Sequence, residues 1–244
     1  MNTNNKLWDK LIIWNGDSIC QGSKVTGNWA TRIATKNCMR FANYGVGGGT
    51  VTEKVGYSDG RDAFRHSVST TVEDMYIDYP DADYVIFEGG TNDADLLGSL
   101  VVGERPERVG SYDVGDYSGN YDATTFCGAL ESIFYRATKY WKGKKIGYIV
   151  AQKMGFRTDG YTDDCNNRRA YFQLAIEICQ KWGIPCLNLW DGCYLNPQLP
   201  WHYNKEADAI TNNRSGSFYQ DGQHLTPAGY DVTADVIDSW LKTL

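Results

Sequence analysis

No run of apolar residues in this 244-residue sequence reaches the ~18 that a membrane-crossing helix needs, so no membrane span is expected. Basic residues are in the minority: 24 Lys and Arg against 30 Asp and Glu give a formal charge of −6. The only notable basic pairs, Lys144-Lys145 and Arg168-Arg169, are short. Such a balance carries no footprint for nucleic acid. The seven cysteines (20, 38, 127, 165, 179, 186 and 193) include no CxxC pair, which argues against zinc, and no metal or other cofactor is expected. Their odd number and the length of the chain also argue against a disulfide framework, so buried or free thiols are expected. Met1 to Lys10 lacks the apolar centre of a signal peptide. The chain as given therefore reads as cytoplasmic, a reading that a removed signal would leave unchanged. Linkers, low-complexity tracts and internal repeats are also missing, so residues 1–244 read as one domain.

What is present is an alternation of short apolar runs with helical spacings. Leu11–Trp14, Met39–Tyr44, Tyr84–Phe87, Ile146–Ala151 and Pro185–Leu189 read as five strands. Between them, Thr26–Lys36, Val68–Tyr79, Ala123–Trp141 and Asn166–Trp182 have helical periodicity. A last helix begins at Thr226-Pro227, with Thr as N-cap and Pro at the first helical position, and runs through Leu241. Apolar strands separated by helices predict a parallel sheet covered on both faces, a three-layer α/β/α sandwich. Residues 96–121 are polar and Gly-rich and read as a long excursion.

Open parallel sheets bind ligands at the carboxyl ends of their strands. The unusual segments fall there: Gly16-Asp17-Ser18-Ile19 after the first strand, Asn43 to Thr50 after the second, and Gly89-Gly90-Thr91-Asn92-Asp93 after the third. Asp221-Gly222-Gln223-His224 precedes the last helix. A nucleophilic serine needs a base, a group orienting that base, and donors for the developing oxyanion. Ser18 is placed to be held rigidly at the rim. Of the three histidines, only His224 has a carboxylate three residues earlier, Asp221. The donors would be the Ser18 N–H, an N–H among glycines 47–49, and the Asn92 amide. Each residue alone has a plainer reading: Ser18 as a helix N-cap, His224 as a helix-entry residue, Asn92-Asp93 as a turn, the glycines as a phosphate loop. That loop lacks the last small residue of a dinucleotide fingerprint. Cys20 reads as a buried thiol, and His66 and His202 as surface or supporting residues.

The four segments together resemble the blocks of the SGNH/GDSL hydrolases, in the family's order from residue 16 to 224. Ile19 stands where the family's name has Leu. The resemblance implies a flavodoxin-like fold with a five-stranded parallel sheet and cofactor-free ester hydrolysis through an acyl-enzyme. It assigns Ser18 as nucleophile, His224 as base and Asp221 as its orienting carboxylate, with Ser18, Gly48 and Asn92 as oxyanion donors. Asp17 and Asp93 are expected to support the site, and Trp201 and Tyr203 to wall a substrate pocket. The substrate is expected to be a short acyl ester, such as an O-acetylated carbohydrate, because the predicted loops are polar and aromatic. A lysophospholipase or thioesterase, or an inactive carbohydrate-binding protein on the same fold, are the alternatives.

Overall fold

A computed structural model of the chain describes residues 5–22, 25–53, 66–100, 105–155, 163–204 and 217–244. Five strands, β1 (Leu11–Asn15), β2 (Arg40–Asn43), β3 (Tyr84–Glu88), β4 (Lys145–Val150) and β5 (Cys186–Asn188), form one all-parallel sheet. Their order is β2-β1-β3-β4-β5. The order reverses direction after β1, which leaves a crevice above the carboxyl ends of β1 and β3. The register aligns those ends: Trp14 pairs with Asn43 of β2, and Asn15 with Phe87 of β3.

Residues of the central strands alternate between two cores. Ile13, Val85, Phe87, Tyr148 and Val150 pack under α3 (Val72–Asp78), α5 (Phe126–Tyr140) and α6 (Asp163–Trp182). Ile12, Trp14, Ile86 and Ile149 pack under α2 (Trp29–Asn37) and α8 (Pro227–Leu241). The strands therefore read as continuous apolar runs because both pleat faces are covered. At the edges this relaxes, and Phe41 of β2 is largely exposed.

The starts of α2, α3, α5 and α6 differ from the periodicity by three or four residues, and at the first two the local reason is plain. Helix α2 begins three residues late because the Asn28 side chain accepts the Thr31 N–H at 3.0 Å, an N-cap that the apolar pattern does not reveal. Helix α3 begins at Val72, since Val68 is engaged with the loop after β2, its N–H donating to Thr50 O at 2.8 Å. Three one- to two-turn helices were not visible in the pattern: α1 (Ser18–Gln21), α4 (Thr91–Leu96) and α7 (Leu189–Gly192). The final helix has the expected cap, with Thr226 Oγ1 accepting the Gly229 N–H and Pro227 in the first turn. All seven cysteines are free thiols, five of them buried. No described helix is long and apolar enough to cross a membrane.

The polar excursion is strapped to α6. Tyr112 OH donates to Glu177, Tyr117 OH to Lys181 O, and Lys181 Nζ to Asp116 O. Lys181 also pairs with Glu131 of α5 at 2.5 Å, and both side chains are almost fully buried. The ammonium lies over the rings of Tyr117, Tyr121 and Trp182 at 5.0–5.7 Å. Arg168, the first residue of the basic pair Arg168-Arg169, lies buried on α6 and forks onto Asp95 of α4 at 2.9–3.1 Å. Removing one partner of a buried pair leaves an uncompensated charge, which costs about 3–5 kcal/mol. Lys181→Met is accordingly expected to lower the unfolding free energy by about 3 kcal/mol in a urea titration, and adding Glu131→Gln should recover part of the loss. An unchanged midpoint in the single variant would remove the strap's anchoring role.

Candidate active site

The nucleophile turn is shaped by what surrounds Gly16. A Cβ there would stand 2.6 Å from Glu88 Oε2 and 2.7 Å from Cys20 Cβ, so no larger residue fits between β1 and β3. Asp17 then turns the chain into α1 by accepting the Ile19 N–H at 2.7 Å. Asp17, not Ser18, is therefore the N-cap, and Ser18 is the first helical residue. Gly22, in the left-handed region at φ 78°, ends the single turn. From α8, Tyr230 OH donates to Ile19 O at 2.7 Å and pins the turn from the side.

His224 comes from the far end of the chain, in a hairpin closed by the pairing of Tyr219 with Leu225. The hairpin rests on the segment leaving β4. Gln152 Nε2 donates to Gln223 O, the Gly155 N–H to Gly222 O, and Tyr219 OH to Lys153 O. Asp221 Oδ1 accepts the backbone N–H groups of Gln223 and His224, so the carboxylate is fixed before it meets the ring. His224 Nδ1 lies 2.9 Å from Asp221 Oδ2, and Nε2 lies 3.0 Å from Ser18 Oγ. An acceptor carboxylate on Nδ1 selects the tautomer that leaves Nε2 as acceptor for the serine hydroxyl. The sequence-predicted trio is thus brought together across 206 residues of chain.

Asn92 projects from the first turn of α4. Its Nδ2 donates to Gly49 O at 2.8 Å, which fixes the amide orientation, and lies 3.5 Å from Asp17 Oδ2, at the limit of a hydrogen bond. Asn43 shapes the glycine loop by donating to Cys20 O and accepting the Gly45 N–H. Gly48 adopts φ 75°, a conformation that favours glycine. Ser18, Gln21, Gly22, Gly47, Gly48, Asn92, Gln223 and His224 line one open cleft of about 530 Å³. A groove of about 580 Å³ between α2 and α8 holds no imidazole and none of these residues.

Asp93 supports the site in another way than expected. Rather than bracing Asn92, it accepts the N–H groups of Val51 and Thr52 and the Thr52 hydroxyl at 2.8–3.1 Å, tying α4 to the loop after β2. Trp201 and Tyr203 are not among the residues that line the cleft. Trp201 is exposed against the edge of His202, while Tyr203 is buried beneath Gly222. His202 is buried, not superficial; its Nδ1 accepts the Asn196 N–H, and burial lowers its pKa. His66 Nε2 bonds Asn15 Oδ1 at 2.9 Å. Sequence reasoning missed Glu88, which lies buried under Asp17 with its Oε2 accepting the Asp17 N–H at 3.1 Å. The available signal was one carboxylate in the otherwise apolar run Tyr84-Val85-Ile86-Phe87-Glu88. Among the described residues, no group of three or more His, Cys, Asp or Glu is placed to hold a metal ion.

Comparison with known proteins gives the chain's family and fold. The model of the GDSL-like lipase/acylhydrolase family matches residues 15–232, and the chain belongs to that family. A solved protein from Lactobacillus plantarum is 22% identical, with a TM-score of 0.70 over 97% of this chain and 98% of its own. A lipase/acylhydrolase from Enterococcus faecalis is 17% identical, with a TM-score of 0.59 over 96% of each chain. A carbohydrate acetylesterase family member from Sinorhizobium meliloti is 11% identical, with a TM-score of 0.58 over 96% of this chain and 98% of that one. At these identities the likeness is one of fold. A search of curated proteins returned no match.

Burial pushes the Asp93 carboxyl up to about 6, against the donors that favour its ionised form. A carboxyl raised on folding adds stability below its unfolded value near 3.8 and loses it as pH rises through about 6. Between pH 4 and 6 the unfolding free energy of the native protein is therefore expected to fall by up to about 3 kcal/mol relative to Asp93→Asn, which does not titrate. Parallel pH–stability curves for the two proteins would contradict the assignment.

Proposed function

We propose that the protein is a serine ester hydrolase that works through an acyl-enzyme on short acyl esters of polar alcohols, O-acetylated carbohydrates above all. The observation that carries this reading is the run of hydrogen bonds from Asp221 through His224 to Ser18, opening on a cleft lined by small and polar residues. In the proposed reaction Ser18 Oγ attacks the ester carbonyl carbon and its proton passes to His224 Nε2. The resulting imidazolium is stabilised by the Asp221 carboxylate. The carbonyl electron pair moves onto oxygen, where the Ser18 N–H, the Gly48 N–H and the second Asn92 amide hydrogen receive the charge. The long Asp17 contact leaves that amide hydrogen free to turn to a stronger acceptor. Each such donor is worth about 3 kcal/mol in the transition state. Collapse breaks the ester C–O bond as His224 returns the proton to the leaving alcohol. Water, deprotonated by His224, then attacks the acyl-serine, and the acid leaves while Ser18 regains its hydrogen.

The acyl preference follows from the lining. Among the described residues that form the cleft there is no aliphatic, phenyl or indole side chain. An apolar acyl pocket gains ~0.8 kcal/mol per buried methylene, about fourfold in kcat/KM, and the described lining brings no apolar side chain to collect it. The scaffold itself is compatible with sugar esters, since a carbohydrate acetylesterase shares the fold.

Two experiments test the reading. Ser18→Ala is expected to cut hydrolysis of p-nitrophenyl acetate by roughly 10⁴- to 10⁶-fold while far-UV circular dichroism stays native; retained turnover would refute the serine mechanism. In a series of nitrophenyl esters, kcat/KM is expected to fall from acetate to octanoate. A rise with each added methylene would instead mark a lysophospholipase or thioesterase.

A further inference from the structure

Two carboxyl groups lie stacked beneath the nucleophile turn, and the reaction above uses neither. Asp17 and Glu88 are essentially inaccessible to solvent, and neither forms an ion pair with a lysine or arginine among the described residues. Glu88 Oε2 accepts the Asp17 N–H at 3.1 Å, which sets the two carboxyl groups side by side, and two buried anions so placed would repel unless one of them held a proton. The geometry tells which one. Asp17 Oδ1 accepts the Ile19 N–H at 2.7 Å, the short capping bond expected of a carboxylate, and Oδ2 has only the long 3.5 Å contact to the Asn92 amide. Glu88 Oε2 accepts the Asp17 N–H, and the Cys20 N–H also acts on this carboxyl, while Oε1 is buried without a hydrogen-bond partner. An unsatisfied buried acceptor beside a carboxylate is relieved by a proton of its own.

We propose that Glu88 is a positioning residue: as a neutral carboxylic acid it hydrogen-bonds the Asp17 carboxylate and so fixes the turn that carries Ser18. Burial raises both carboxyl groups, Glu88 well above its ordinary value, in the same direction as the geometry. The other titratable groups that act on the pair or on Asp17 are Cys20, Tyr148, Tyr230, Asp93 and His224. Burial pushes the thiol and both phenols far up, so they stay neutral. His224 is the one group in this set that becomes a cation. The proton on Glu88 thus leaves a single negative charge under the turn, on Asp17. That charge caps α1 and favours the His224 imidazolium. Loss of the proton would set two anions together in a space with no cation to separate them.

The assignment of a catalytic effect rests on the proposed esterase reading, but the protonation state does not, and the two are read separately. Infrared difference spectra with carboxyl-labelled glutamate are expected to show a protonated carboxylic acid band at neutral pH that is missing in Glu88→Gln. Absence of the band in the native protein would overturn the proposal whatever the activity. For p-nitrophenyl acetate, Glu88→Ala is expected to lower kcat about 10- to 100-fold with KM within about threefold, and Glu88→Gln, which keeps a neutral donor, to recover most of that loss. If Glu88→Gln is as damaged as Glu88→Ala while both fold, a carboxylate is required there and the neutral acid is wrong. If Ser18→Ala stays active yet the band persists, the esterase reading fails and the protonated Glu88 stands.

Discussion

The 3.0 Å hydrogen bond between Ser18 and His224 is the constraint around which the molecule is arranged. Its two partners are carried by units that share no local sequence, a helical turn after the first strand and a hairpin before the last helix. Each unit is braced by backbone hydrogen bonds that do not involve the other: Asp17 and Tyr230 for the turn, Gln152, Gly155 and Tyr219 for the hairpin. A bond of this length between independently fixed groups needs no rearrangement before a proton moves, which is the sense in which a site is preorganised. The central place of β1 in the sheet, flanked by β2 and β3, supplies the rigidity on which the turn stands.

Electrostatics beneath the site follow the same logic. Three buried carboxyl groups, Asp17, Glu88 and Asp93, face the ends of β1 and β3, and their neighbours are mostly backbone N–H donors rather than basic side chains. Anionic character is thereby carried close to the imidazole without a competing cation that would neutralise it. The ion pairs Arg168–Asp95, buried only on the arginine side, and Lys181–Glu131, buried on both, sit elsewhere, joining helices and anchoring the polar strap. Charge that serves structure is paired with an opposite charge, and charge near Ser18 is held by dipoles.

Much of this was legible in the residues. The five strands, the α/β/α layering and the final capped helix follow from apolar runs and from Thr226-Pro227, which are local signals. Ser18 and Asn92 stand out because glycine and polar residues break the pattern at strand ends, and His224 because Asp221 lies three residues before it, whereas Gly48 is singled out among its neighbouring glycines only by the family resemblance. What was hidden depends on tertiary partners. Trp201 and Tyr203 are not in the cleft lining: Trp201 is exposed to solvent and Tyr203 is packed under Gly222. Asp93 was read with its neighbour Asn92, although successive residues of a helical turn point in different directions and its donors come from residues 51 and 52. Glu88 falls between the apolar run Tyr84–Phe87 and the glycines at 89 and 90, and matches neither signal. Nothing in the sequence around it shows its place beneath Asp17.

The strap formed by residues 112–121 also bears on what the protein can reach. Because Lys181 and its ring of aromatic side chains hold this segment against α6 and α5, it is committed to the flank of the sandwich. A segment so anchored does not fold over the rim as a roof. For the proposed esterase, this would leave space at Ser18 for an acyl group borne on a branched or polymeric backbone, with the remainder of that backbone trailing outward into water.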